Sequence, residues 1–268
     1  MKLIKSKLTD YLQFNHFSKS SEIKHFVSTR IKKSESISDK NLNISFESDM
    51  PAAEVYKNRQ LLSETVKIPL QSFVMQNQIH GDTITIIDDT HKGKGILNHQ
   101  TAIQNSDAMI TDKKNICLFL FAADCMPILF FDKKKHIVGV AHSGWKGTVS
   151  KIAQKTVIKM NEVFNSDFKD ILVGIGPSIS VKHYETGKNV VSEVEKAFGT
   201  KNNFLKFNTK TNKYHFDLWY SAKYQLTEIG IPETNIEFSE FCTFENNDLF
   251  FSARQKNTGR FGAGIMLI

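Results

Sequence analysis

The sequence predicts a mixed α/β domain in which helices cover sheets. Three observations carry this prediction. Strand-like runs are numerous, helical periodicity is confined to a few segments, and the middle of the chain (107–142) packs strands together without intervening helices. That last feature argues against a doubly wound βαβ repeat. Neither an internal repeat nor a Pro/Gly/Ser-rich linker divides the sequence, so one domain spanning 1–268 is expected. Hydrophobic residues make up 40% of the chain and Phe alone contributes 21, enough for a sizeable core.

Along the chain, apolar runs bounded by turn residues predict strands over 23–29, 73–79, 83–87, 108–111, 116–123, 128–131, 136–141, 171–175, 236–238, 249–252 and 263–268. The polar stretch 36–51 reads as a loop. Helical spacing marks 52–66. It recurs over 147–164, where Val149, Ile152, Val157, Met160 and Phe164 fall near one stripe. It marks 218–229 as well, where Asp217 stands at the N-cap position. A less regular pattern covers 189–198.

Charge and cysteine usage bound the function. The net charge of +7 comes in part from short clusters: Lys32-Lys33, Lys113-Lys114 and Lys133-Lys134-Lys135. Such clusters read first as solvated turns, and second as an attraction for phosphate-bearing partners. No stretch interleaves basic residues with aromatics, so no nucleic-acid partner is expected. Three cysteines without a CxxC pair argue against a disulfide framework and for a reduced compartment. The N-terminus lacks an apolar signal region, and the longest apolar run, 116–123, is too short to cross a bilayer. A cytoplasmic monomer without a membrane partner is expected.

The chemistry concentrates around one hairpin. The runs flanking Lys133-Lys134-Lys135 read as paired strands, and a turn centred on Lys134 sets Cys125 nearly opposite His142. Directly opposed residues have Cβ atoms roughly 4.5–5.5 Å apart, so a thiolate and an imidazole there can share one metal. Gly144 and Gly147 follow His142 and permit a sharp turn. A helix beginning after Gly147 would aim its N-terminal dipole at the site. Either residue alone could equally be buried and structural. His80, at the end of a strand run and before Gly81, is a third candidate ligand, though it carries little signal alone.

Several segments together resemble a known family. They are Gln78-Ile79-His80-Gly81, Ala123-Asp124-Cys125-Met126-Pro127, His142-Ser143-Gly144-Trp145-Lys146-Gly147, Gly174-Ile175-Gly176-Pro177, Asp217-Leu218-Trp219, and Phe251-Ser252-Ala253-Arg254 through Arg260. In this order they are similar to the YfiH-like family, also labelled the laccase-domain or multicopper polyphenol oxidase family. Its members are described as purine nucleoside phosphorylases with adenosine deaminase activity. The resemblance implies an α/β/β/α layered domain with mixed sheets, and zinc held by His80, Cys125 and His142. It also implies substrate contacts from Arg30, Asn43 and Lys146, the last of which stands beside His142 in any case. Two departures bear on those contacts. Arg30-Ile31-Lys32-Lys33 replaces the family's Arg-x-Gly-Gly, and Lys146 replaces an arginine, keeping the charge but losing the bidentate fork.

Four functions are compatible with these residues. The first is a zinc enzyme acting on adenosine, inosine or methylthioadenosine with phosphate, and deaminating adenosine. Three protein ligands and one open position suit catalytic zinc. The second is a copper-dependent polyphenol oxidase. A single His-Cys-His site could bind copper, but multicopper chemistry needs many clustered histidines and no His-x-His pair occurs. The third is a Cys125–His142 hydrolase acting on an amide, for which Asp124 is a poor orienter because a strand would point it away from Cys125. The fourth is a non-catalytic metal-binding module.

Overall fold

The computed structural model describes residues 1–33, 41–200 and 203–268. Residues 36–40 of the expected loop lie outside the described residues, and its remainder, 41–51, is irregular.

Two six-stranded sheets stack face to face. The first contains β1 (Lys2–Ile4), β2 (Tyr11–Gln13), β3 (Ile23–Ser28), β4 (Phe73–Met75), β7 (Cys117–Ala122) and β15 (Phe261–Leu267), in the order β1-β2-β3-β15-β7-β4. The second contains β5 (Ile84–Ile86), β6 (Ala108–Thr111), β8 (Met126–Asp132), β9 (Ile137–Ser143), β10 (Ile171–Ile175) and β14 (Ile236–Phe238), in the order β14-β10-β8-β9-β6-β5. Each sheet is mixed: β4 runs parallel to β7, β5 to β6 and β10 to β14, while the other pairs are antiparallel. A small third sheet joins β11 (Glu185–Thr186), β12 (Leu205–Asn208) and β13 (Lys213–Phe216).

Side-chain alternation explains the layering. Along β8, Leu129 and Phe131 face the other sheet, where they join Leu118, Leu120, Ile265 and Val27 in one core. Ile128 and Phe130 face the opposite way, toward α3 (Ile152–Phe164), α4 (Lys188–Phe198) and α5 (Leu218–Glu228). Along β7, Cys117, Phe119 and Phe121 point outward onto the layer of α1 (Ala52–Val66), which contributes Leu62. Both sheets are therefore buried on both faces. That is why 116–123 and 128–131 read as continuous apolar runs instead of alternating ones. The result is the expected α/β/β/α arrangement.

Several elements differ from the sequence reading. The helix expected over 147–164 is two: α2 (Trp145–Val149) and α3, broken where Lys151 takes a left-handed φ of 61°. Residues 249–252 form no strand, and the expected strand 73–79 stops at Met75. The short strands β1, β2, β11, β12 and β13 went unread. Among the lysine clusters, Lys133–Lys135 form an exposed turn, whereas Lys32 is buried. No helix among the described residues is long and apolar enough to cross a membrane.

Candidate metal centre

The hairpin β8–β9 delivers two of the three expected ligands, in a register other than the one read from sequence. Asp132 pairs with Ile137, so the turn occupies four residues, closed by Asp132 Oδ1 accepting the Lys134 and Lys135 amides and by His136 at φ 54°. This shifts the partner of His142 from Cys125 to Pro127. Cys125 stands just ahead of β8, on the diagonal from His142, which is still within reach across a ladder. The preceding Asp124 lies in a bend at φ 84°, not in a strand. Its carboxylate accepts from Thr243 Oγ1 at 2.6 Å and from the Arg254 amide at 2.7 Å.

His80 comes from the loop after β4, also in a left-handed conformation (φ 62°). What holds it there is Asp107, fully buried at the start of β6. The Asp107 carboxylate accepts the backbone N–H groups of Ile79 (3.1 Å), His80 (3.0 Å) and Gly81 (2.7 Å), and bonds His142 Nδ1 at 2.9 Å. An ionised carboxylate only accepts, so Asp107 keeps a proton on His142 Nδ1, and Nε2 is the nitrogen that could serve as a ligand. Burial disfavours the Asp107 charge. The His142 bond and charge and the Gly81 and Ile79 amides outweigh it, and the carboxyl is held below its ordinary value.

The donor atoms of His80, Cys125 and His142 lie within 4.8 Å of one another, and the two imidazole centroids are 4.8 Å apart at 78°. Donors around tetrahedral zinc sit roughly 3.3–3.8 Å apart, given bonds of about 2.0–2.3 Å. The set is therefore close to metal-binding spacing. Burial raises the Cys125 thiol, but His142 and His80 bring it down overall; His142 in turn is raised, against burial, by Cys125 and Asp107. The thiolate that a metal would need is favoured in place. Gly144 completes the fit by close approach: a Cβ there would fall 2.7 Å from Cys125 Sγ and 3.3 Å from His80 Cδ2. With one thiolate, two imidazoles and an oriented tautomer, the residues fit a bound divalent metal.

The three candidate ligands open onto a cavity of about 410 Å³. Arg59, Arg254 and Arg260 line it, with Phe46, Phe121, Tyr184, Gln76 and Gln78. Arg59 is buried on α1. Its Nε bonds the Ile44 carbonyl, its Nη1 bonds those of Gly95 and Ile96, and its guanidinium stacks 4.0 Å from the Phe46 ring. Burial lowers it to about 9, so it remains a cation at neutral pH. Tyr184 is pushed upward by burial and by Cys125, which keeps the phenol protonated.

The remaining sequence-predicted residues lie elsewhere. Arg30 lines a separate depression, where it bonds Asn41, Asn247 and Asn257 and stacks 4.4 Å from Phe251. Asn43 lines the same depression as Arg30, donating to Ser45 O and Ser48 Oγ and accepting the Arg260 amide; it holds Ser45 and Arg260, which line the cavity at His80, Cys125 and His142, and does not line that cavity itself. Lys146 is exposed in the first turn of α2, its Nζ 5.8 Å from the Trp145 ring, and does not line the cavity. The helix begins at Trp145, ahead of Gly147, which places Lys146 on the outside. Asp107 and Arg59 escaped the sequence reading, though each left a signal. Asp107 abuts the apolar run Ala108-Met109-Ile110. Arg59 falls between Val55 and Leu62 at helical spacing, a charge on the buried stripe.

A purine nucleoside phosphorylase from Bacteroides thetaiotaomicron is 31% identical over 258 residues, covering 96% of both chains. Adenosine deaminase RL5, from an unknown prokaryotic organism, is 33% identical over 216 residues, covering 80% of this chain and 82% of that one. The crystal structure of Bacillus licheniformis hypothetical protein YfiH superposes with a TM-score of 0.89 at 27% identity, covering 98% of this chain and 97% of that one. The pattern of the multi-copper polyphenol oxidoreductase laccase family matches residues 24–268, which takes in the whole ligand set and both sheets apart from β1 and β2; the chain belongs to that family, the YfiH-like family its motifs resembled.

Proposed function

We propose that the chain is a zinc-dependent purine nucleoside phosphorylase, acting on inosine, adenosine or methylthioadenosine, with adenosine deaminase activity at the same centre. The observation that carries this is the His80–Cys125–His142 set at the mouth of a cavity lined by arginines and aromatic rings. The names of the similar proteins point the same way. His80, Cys125 and His142 would hold the zinc, which would supply Lewis acidity there. The chain's own groups do the rest. Asp107 keeps the Nδ1 proton on His142 and so fixes the ring. Arg59, Arg254 and Arg260 offer cationic donors for phosphate, the nucleophile of phosphorolysis. The Phe46 and Phe121 rings offer flat apolar surface for a base, and the protonated Tyr184 offers a donor. Zinc is preferred to copper by the four-coordinate catalytic pattern, and multicopper oxidation is not favoured: among the described residues one such ligand group occurs.

A second reading is favoured by one observation. Cys125, His142 and Asp107 line up as nucleophile, base and orienting carboxylate, the arrangement of a metal-free cysteine hydrolase. Elemental analysis separates the two. Protein purified without added metal is expected to carry about one zinc per chain and to release hypoxanthine from inosine only with phosphate present. Cys125→Ala is expected to lose both zinc and turnover while keeping its circular dichroism. Full activity in metal-free protein would overturn the zinc reading and leave the hydrolase one.

A further inference from the structure

Gln76 and Gln78 both line the cavity, two residues apart just after β4, and their side chains have opposite fates. The Gln78 amide is consumed by the protein: Oε1 accepts the Phe121 amide at 2.8 Å and Nε2 donates to the Phe121 carbonyl at 2.9 Å. This holds Phe121 in the wall. Gln76 is 1% exposed, and neither its Nε2 nor its Oε1 has a hydrogen-bond partner in the protein. A buried polar group left unpaired is destabilising. Here one donor and one acceptor on the same planar group are both unpaired, beside the cavity. The Phe46 and Phe121 rings line the same space. A flat ring whose edge carries an adjacent donor and acceptor would satisfy both features.

We infer that Gln76 is a specificity-determining residue, whose side-chain amide pairs with the hydrogen-bonding edge of the purine at its 6-position. An amide suits such an edge in either sense. A 6-aminopurine presents an N–H donor beside a ring-nitrogen acceptor, the pairing by which Gln reads adenine in nucleic acids. A 6-oxopurine presents a carbonyl acceptor beside the N1–H donor. Rotating the amide by half a turn exchanges Nε2 and Oε1 and meets the second pattern with the same residue. One side chain could thus admit both base types while disfavouring rings that lack the 6-substituent. The inference rests on the nucleoside reading above and names the part of the substrate that the cavity distinguishes.

The test compares wild type with Gln76→Leu and with Gln76→Met, which keeps the side chain unbranched in case leucine packs badly. Phosphorolysis of inosine, adenosine and purine riboside, which has no 6-substituent, gives three values of kcat/KM per protein. Both variants are expected to lose tenfold to a hundredfold for inosine and adenosine, and at least tenfold less for purine riboside. Their thermal midpoints are not expected to fall, because the amide they remove has no partner in the fold. An equal loss on all three substrates, or no loss on any, overturns the inference. Calorimetric titration with adenine, hypoxanthine and unsubstituted purine runs alongside. If wild type turns over no nucleoside yet binds adenine and hypoxanthine more tightly than purine, and the variants lose that preference, phosphorolysis fails and the role of Gln76 stands. If it binds none of the three bases, both fail.

Discussion

At the scale of single residues, the centre is built by groups that are not themselves ligands. Asp107 satisfies three backbone amides of the His80 loop and one imidazole nitrogen with a single carboxylate. Asp107→Asn turns one of those oxygens into an N–H donor facing other donors. Zinc affinity is expected to fall about 10–100-fold, as when outer-shell partners of metal ligands are lost, with a stability loss of about 1–3 kcal/mol from unpaired amides. A competition titration against a zinc chelator reads the first effect and urea unfolding the second; unchanged affinity would show that the carboxylate merely closes the loop. Gly144→Ala tests the opposite kind of constraint. Its methyl would sit 2.7 Å from Cys125 Sγ, so the thiolate must move. The φ of Gly144, −80°, is one any residue adopts, so the backbone itself is not strained. Zinc content measured by elemental analysis is expected to drop well below one per chain, while the fold persists. A fully loaded alanine variant would show that the site yields more easily than this contact implies.

At the scale of elements, what was legible in the sequence was what burial on both faces enforces. The runs 116–123 and 128–131 read as strands and 52–66 as a helix, and the structure places each in a layer accordingly. The short strands β1, β2, β11, β12 and β13 were not legible, because strands of two to four residues carry no period to count. Nor was the break at Lys151 legible, since the apolar stripe of 152–160 continues the spacing from Val149 and conceals one left-handed residue. The site was half legible. Cys125 and His142 were placed together by the hairpin even though its turn was miscounted, because a diagonal neighbour is nearly as near as a direct one. Asp107 and Arg59 depend on contacts between distant segments, which spacing along one element cannot reveal. Arg59 makes this concrete. From α1 it bonds carbonyls at 44, 95 and 96, so it ties a helix to two loops as well as lining the cavity. Arg59→Met leaves those carbonyls unpaired. It is expected to cost on the order of 3 kcal/mol, lowering the thermal midpoint by roughly 5–10 °C for a chain of this size, and to raise the KM for phosphate. A lowered midpoint with unchanged phosphate KM would confine Arg59 to a structural role.

At the scale of the whole molecule, the two sheets are held by more than their shared core. The segment 14–17 is clasped between them. From the first sheet, His25 Nε2 accepts the Phe14 amide at 2.9 Å; from the second, Glu237 accepts the amides of Asn15 (3.0 Å) and His16 (2.9 Å). Phe17 packs edge-on against His25 and Phe131, bridging the layers. The clasp requires a neutral His25, since a protonated imidazole has no acceptor to offer the Phe14 N–H. Burial lowers His25 from 6.5 to about 4, against smaller upward effects of the Phe14 contact and the Glu237 charge. The sign follows from which state binds the proton. Above about pH 6.5 His25 is neutral in both folded and unfolded chains, and its contribution is fully present. As pH falls from there toward 4, the unfolded chain takes up a proton that the folded chain refuses, so stability is lost across that window and levels off below it. The depression corresponds to a loss on the order of 3 kcal/mol. Urea midpoints measured at intervals between pH 7.5 and 4 are expected to fall in wild type. They should fall less steeply in His25→Gln, which keeps an acceptor for the Phe14 amide and does not titrate. If the two proteins lose stability in parallel, the acid sensitivity arises elsewhere, and the clasp is not what joins the sheets at this edge.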